Sequence, residues 1–160
     1  MQVAEAIHAA VANRLSPLEL DAWQALLHAH HQITRRLDAE LRKEQGVSFG
    51  EYDVLLRLAR APERRLTMTE LARRVMISPS GLTRVVDGLS DEGLVRRERN
   101  PDDARVVYAQ LTDEGRARVR QAAQTHLRGI REHFTERLSE TQLRQVVSAL
   151  QVITGPHQPH

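Results

Sequence analysis

One segment of this chain abandons helical periodicity, and it constrains the fold more than any other feature. Leu94 to Arg99 and Arg105 to Leu111 are β-type runs, and between them lies Asn100-Pro-Asp-Asp-Ala104, a polar, turn-rich tip. Elsewhere apolar residues recur at three and four positions, the spacing of one helix face. The pattern predicts a mainly α chain with a single β-hairpin.

The helices announce their own ends. Residues 1–15 read as a short helix or a ragged terminus, punctuated by Ser16-Pro17. A long helix is predicted from Pro17 to Glu44, with Trp23, Leu26, Leu27, His30, Ile33, Leu37 and Leu41 as its stripe and Gly46 at its C-terminal stop. Ser48-Phe-Gly-Glu51 has capping-box spacing and opens a helix with Phe49, Tyr52, Leu55, Leu56 and Ala59 inward, closed by Ala61-Pro62. Thr67-Met-Thr-Glu70 repeats the device for a short helix with Leu71 and Val75 inward. Ser78-Pro79 places a good N-cap before a proline at the first helical position, and Leu82, Val85, Val86 and Leu89 follow as the buried face. After the hairpin, Thr112 caps a helix striped by Val119, Ala123, His126, Leu127, Ile130, Phe134 and Leu138. Ser139-Glu-Thr-Gln142 starts a last helix carrying Leu143, Val146, Val147, Leu150 and Ile153, and Gly155 to His160 reads as a frayed tail. The predicted order is α-α-α-α-β-β-α-α.

Composition excludes several classes. With 41% hydrophobic and 28% charged residues in 160, the chain can build a core as one domain or two small modules. The absence of cysteine excludes disulfides, thiolate metal sites and thiol redox switches. No signal-peptide pattern and no long apolar run occurs, so a cytoplasmic location is expected. The sequence pI of 9.6 misleads. Arg supplies all but one of the basic residues, Lys43 being the exception, so a small surplus of charge simply persists to high pH.

Where the charge sits is more informative. Residues 1–59 carry net −2, while residues 60–111 and 112–160 carry +2 each. From Arg64 to Arg84 there are five arginines against Glu70 alone; Asp87, Asp91 and Glu92 follow, then Arg96, Arg97 and Arg99. Phosphate-binding surfaces need local positive charge of this kind. The first turns of the Ser78-capped helix offer Ser80, Thr83 and Arg84 opposite its apolar face, and a recognition helix reads bases through its first turns. Arg84 can fork onto guanine O6 and N7. A short capped helix before it and a basic hairpin after it spell a winged helix-turn-helix. The predicted DNA contacts are Arg73, Arg74, Ser78, Ser80, Thr83, Arg84, Arg99 and Arg105.

Residues 66–115 resemble the MarR family of bacterial transcriptional regulators. The resemblance is carried by Leu82-Thr-Arg-Val-Val-Asp-Gly-Leu89, Gly93-Leu-Val95, Asp102-Asp-Ala-Arg105 and Leu111-Thr-Asp-Glu-Gly115, and the order of flanking helices extends it over roughly residues 17–153. Many members carry Asp-Arg-Arg at the wing; here Ala104 replaces the first Arg and leaves Arg105 as the wing contact. The resemblance implies a homodimer on a pseudo-palindromic operator in double-stranded DNA. Residues 48–111 would form the DNA-binding lobe, with 1–47 and 112–160 building a helical dimerisation region. It also implies repression relieved by a small aromatic or anionic effector that alters lobe spacing.

Effector residues expected from that resemblance are Trp23, His30, Tyr52, Asp53, Arg84, Arg97 and His126. Urate-responsive members use a Trp on an early helix, an Asp on the next, and Arg residues on the recognition helix and first wing strand. Trp23, Asp53, Arg84 and one of Arg96 or Arg97 match in type and order. The alternative is that Trp23 is core, His126 is a hydrogen-bonded core histidine, and Asp53 pairs with Arg57 one turn on. No cofactor and no metal site is expected. His28 and His31 share a helix face but His30 does not, and His126 and His133 are too far apart to chelate unless other elements contribute. A metal-responsive regulator using His residues, or a winged-helix dimer binding a protein partner, are the alternative functions. No phosphate loop, nucleophile elbow or carboxylate pair in a plausible cleft occurs, so the chain is not read as an enzyme, and no membrane partner is expected.

Overall fold

The computed structural model describes residues 15–75, 77–101, 103 and 105–155. The readings of residues 1–14 and of the tail from 156 onward lie outside these, as do Asp102 and Ala104 of the wing motif. The chain divides into two compact units, residues 1–35 and 36–160.

Helix α1 (Pro17–Gln45) begins in the first unit and ends in the second. Its stop is as predicted: Gly46 takes φ +67, and its N–H donates to the Arg42 carbonyl at 3.1 Å. In the first unit Leu18, Trp23, Leu26 and Leu27 are all exposed, Trp23 by 56%, so Trp23 is not core in this chain. In the second unit α1 buries Leu37 and Leu41.

The rest of the second unit runs α2 (Phe49–Arg60), β1 (Arg65–Thr67), α3 (Met68–Arg74), α4 (Pro79–Asp91), β2 (Val95–Arg99), β3 (Val107–Leu111), α5 (Asp113–His133) and α6 (Glu140–Thr154). The capping boxes form as spaced: Ser48 with Glu51, Thr67 with Glu70, and Ser139 with Gln142. Ser78 and Thr112 cap α4 and α5. Asp38 of α1 accepts from the Phe49 N–H at 2.8 Å, fixing where α2 starts.

Three sequence expectations need correction. The hairpin is part of a three-stranded antiparallel sheet, ordered β1-β3-β2, with Leu66 opposite Ala109 and Arg97 opposite Ala109 on the other side. Strand β1 has only three residues, too few for an alternation to show. Helix α2 buries Val54 and Leu58 beside Tyr52 and Leu55, whereas Phe49, Leu56 and Ala59 are half-buried. Helix α5 stops at His133, a 3-10 turn (Thr135–Arg137) follows, and its buried edge is Gly115, Val119, Ala122, Thr125 and Gly129. That edge is rotated from the predicted stripe, and Leu127 is exposed. Small residues define it because α5 meets its neighbours closely, the Leu37 and Glu40 side chains at Gly129 and backbone at Gly115. A methyl group on Gly115 would sit 2.1 Å from the Leu94 carbonyl oxygen, so only glycine lets α5 start against the residue that leads into β2.

The main core gathers Val54, Leu55 and Leu58 of α2, Leu71 of α3, Leu82, Val86 and Leu89 of α4, and Leu94, Val95, Ala109 and Leu111 around the sheet. Each buried aliphatic side chain contributes about 1.5–3 kcal/mol. That core holds α4 and the wing as one piece. Helix α6, by contrast, buries none of its residues.

Candidate nucleic-acid interface

Helix α4 presents a polar face because its apolar face is fully used. With Leu82, Val86 and Leu89 buried, Ser80, Thr83, Arg84 and Asp87 are left exposed. The Ser78 hydroxyl accepts the Gly81 N–H at 3.2 Å and lies 3.3 Å from the Ser80 hydroxyl. Ser78 therefore serves the cap first. The first turn of α4 carries no acid, so its positive dipole end is unopposed there. Thr83 donates its hydroxyl hydrogen back to the Pro79 carbonyl at 3.3 Å, a bond that exposed Thr readily exchanges.

The arginines divide into tethered and untethered groups. Arg73 and Arg74 end α3, Arg84 stands on α4 and Arg99 ends β2; all four are exposed and have no ion-pair partner among the described residues. Arg97 is different. It bridges to Asp87 at 2.8 Å and donates to the Thr83 carbonyl at 3.4 Å, tying β2 to α4. Arg96 is held by Glu98 at 2.8 Å and by Gln110. Arg105 is 95% exposed and reaches Asp103 only at 3.5 Å, while its backbone N–H donates to the same carboxylate at 3.0 Å. Asp103 thus shapes the wing turn more than it neutralises Arg105. A groove of about 330 Å³ runs between the α3 start, α4 and the wing, lined by Thr67, Thr69, Thr83, Arg97 and Arg105. The missed signal here is Asp87: an acid one turn past Arg84 that locks the wing arginine and leaves Arg84 untethered.

The effector candidates fall in several places. Tyr52 and His126 meet with ring centroids 4.8 Å apart, and Phe49 flanks His126 at 5.8 Å. The His126 Nδ1 is buried without a hydrogen-bond partner among the described residues, so it is not the hydrogen-bonded core histidine of the alternative reading. Burial lowers its pKa, and the charge of Asp53 partly opposes that. Burial likewise raises the pKa of Tyr52. Asp53 pairs with Arg57 at 3.0 Å, as its spacing allowed. Arg84 and Arg97 lie on the outward side of α4 and on β2. Trp23 and His30 are exposed residues of the first unit.

The MarR family model matches residues 45–106. Over 82 residues the chain is 37% identical to the HTH-type transcriptional repressor YetL of Bacillus subtilis, covering 51% of this chain and 49% of YetL. It thus spans about half the length of that relative. Over 124 residues it is 33% identical to the HTH-type transcriptional regulator PecS of Dickeya dadantii, covering 74% of this chain and 73% of PecS. Among solved structures, the MarR family regulator Sco3205 of Streptomyces coelicolor, crystallised in complex with DNA, is 34% identical. It superposes with a TM-score of 0.81 over 91% of each chain.

Proposed function

The chain belongs to the MarR family of transcriptional regulators, and on that premise we propose that it is a homodimeric repressor reading a pseudo-palindromic operator with α4. It is a DNA-binding regulator and not an enzyme. Among the described residues no helix is long and apolar enough to cross a membrane.

The observation that carries the reading is the set of untethered arginines, Arg73, Arg74, Arg84 and Arg99, around the acid-free start of α4. Arg84, with Ser80 and Thr83, enters the major groove and reads base edges. Arg73, Arg74, Ser78, Arg99 and Arg105 serve phosphates and the minor groove beside it. Residues 48–111 act as the DNA lobe, and 1–47 with 112–160 supply the dimer contacts. The exposed Leu18, Trp23, Leu26 and Leu27 of α1, and Val147, Leu150 and Ile153 of α6, are the apolar area a second copy would cover. YetL and MdtR of Bacillus subtilis, both named repressors, favour repression as the sign of regulation.

Release by a small aromatic or anionic effector is supported by one site within the second unit. The unpartnered Nδ1 of His126 lies beside Tyr52, with Asp53 already satisfied by Arg57. A ligand that hydrogen-bonds Nδ1 and stacks on Tyr52 would remove a buried unsatisfied group.

The test is fluorescence anisotropy with duplex from the promoter of its own gene. Binding should saturate at one dimer per palindrome and weaken steeply with salt, as counterion release requires. Salt-insensitive binding, or equal affinity for promoter and scrambled duplex, would refute the reading in favour of a protein-binding module.

A further inference from the structure

Within the second unit, the last turns of α1 and α5 meet through side chains that the DNA surface does not use. Glu40 and His133 are 93 residues apart in sequence, yet Glu40 Oε1 lies 2.5 Å from His133 Nε2. The His133 side chain is only 7% exposed. The other Glu40 oxygen, Oε2, is buried and has no hydrogen-bond partner among the described residues. It fits against Gly129, where a methyl group would stand 2.8 Å from it. Glu132, exposed on the neighbouring turn, completes a set in which one ligand atom from each of Glu40, Glu132 and His133 lies within 4.8 Å of the others.

Two arginines approach this set without entering it. Arg36 Nη1 approaches His133 Nδ1, on the far side of the ring, at 3.5 Å. Arg128 is held by Glu44 at 2.5 Å and adds its charge near Glu40 and Glu132, with no hydrogen bond to either among the described residues. A carboxylate with one oxygen shut from water and unmet by any donor is costly to keep charged, and a cation bound at its other oxygen, beside His133, stabilises that charge. One imidazole and two carboxylates form a mixed N/O donor set suited to a borderline-soft divalent ion, with water in the fourth tetrahedral position. Glu132, being exposed, is free to turn inward the short distance that coordination needs.

We propose that Glu40, Glu132 and His133 bind a divalent transition-metal ion of the zinc class, clamping the end of α1 to the end of α5. His133 ligates through Nε2. The ring proton moves through solvent to Nδ1, and Arg36, which cannot donate to a protonated Nδ1, turns outward. The sequence left His133 needing a contribution from another element, and Glu40 is that contribution. The inference is independent of how α4 reads DNA.

The experiment uses the full chain, stripped with chelator and desalted. Zn²⁺ is titrated by calorimetry and Co²⁺ by visible absorption. The expected result is one saturable Zn²⁺ per chain and the intense bands of tetrahedral Co²⁺. Both should persist in a His28→Gln, His31→Gln variant, which removes adventitious zinc uptake by the histidine pair that shares one face of α1. Both should vanish in Glu40→Gln and His133→Gln, with circular dichroism reporting whether those variants fold. Glu132→Gln is decisive in either case, since an exposed glutamate is dispensable for folding. It should bind at least about tenfold more weakly, the lower end of what even an outer-shell partner costs. Absence of Zn²⁺ uptake by the wild type, uptake that depends on His28 and His31, or unchanged affinity in Glu132→Gln would overturn the proposal.

Discussion

Helices α4 and α6 are close in design and opposite in fate. They have 13 and 15 residues, each is capped by a serine accepting the N3 N–H, and each carries one apolar face. In α4 that face is covered by its own chain: Leu82, Val86 and Leu89 are at most 1% exposed. In α6 the equivalent face stays open, with Val147 at 53% and Ile153 at 75%. An amphipathic pattern states that a face exists and does not state what covers it. For α4 the answer is α2, α3 and the sheet; for α6 no described element of the second unit buries it, and a second copy is the occupant we propose.

The harshest way to break the comparison is to remove α6. Truncation after Leu138 should abolish binding to a two-half-site operator and leave a monomer, or a poorly soluble product, in sedimentation velocity at low micromolar concentration. Helix α6 buries none of its own residues, so the helical signal per residue of the winged lobe should survive its removal. A stable dimer without α6 would show that the open face is ordinary surface.

The matching cut in α4 is Leu89→Ala. Leu89 is fully buried, and loss of such a side chain costs about 2–5 kcal/mol. The loss should appear as a lower urea midpoint that shifts by the same amount at every protein concentration, because the cavity lies within one chain. The loss from Leu150→Asp on α6 should instead grow on dilution. If both variants show the same concentration dependence, the distinction between inward and outward cover fails.

How much of this was legible beforehand follows the range of the interactions. Caps are local: Ser48 with Glu51 and Ser139 with Gln142 are three residues apart and formed as spaced. The hairpin needed only its own period. Strand β1 was invisible because three residues show no alternation, and its partner Ala109 is far along the chain. The face of α5 was misread because Gly115, Ala122 and Gly129 are too small to register in a hydrophobic stripe, yet close approach makes them the buried ones. The arginines proposed to face DNA are legible from charge alone. Which of them are tethered is not, since Asp87 meets Arg97 only after the wing folds onto α4. The Glu40–His133 pair, with its long separation in sequence, had no local signal at all.

A smaller effect separates the two faces of α4 itself. Arg84→Ala removes a side chain opposite the buried face, so the thermal midpoint should stay in place. Specific operator affinity should fall by about 1–3 kcal/mol, the cost of one bidentate base contact. Affinity for random duplex should hardly change. An equal loss on both duplexes would reassign Arg84 to a phosphate.

The smallest expected effect lies at the wing, where Arg105→Ala tests whether exposure alone makes an arginine useful. Arg105 is 95% exposed, and its 3.5 Å approach to Asp103 is too long and too wet to hold it. An exposed pair of that kind contributes about 0–1 kcal/mol, so stability should be unaffected. What Arg105 offers is one positive charge near the backbone. Its loss should lower the slope of log affinity against log salt by about one unit, on operator and random duplex alike. Asp103→Ala acts in the opposite sense: it frees the guanidinium but removes the acceptor of the Arg105 backbone N–H, which holds the turn at 3.0 Å. If the wing works by charge, Asp103→Ala should strengthen DNA binding slightly; if it works by shape, that variant should weaken it and Arg105→Ala should leave the salt slope untouched.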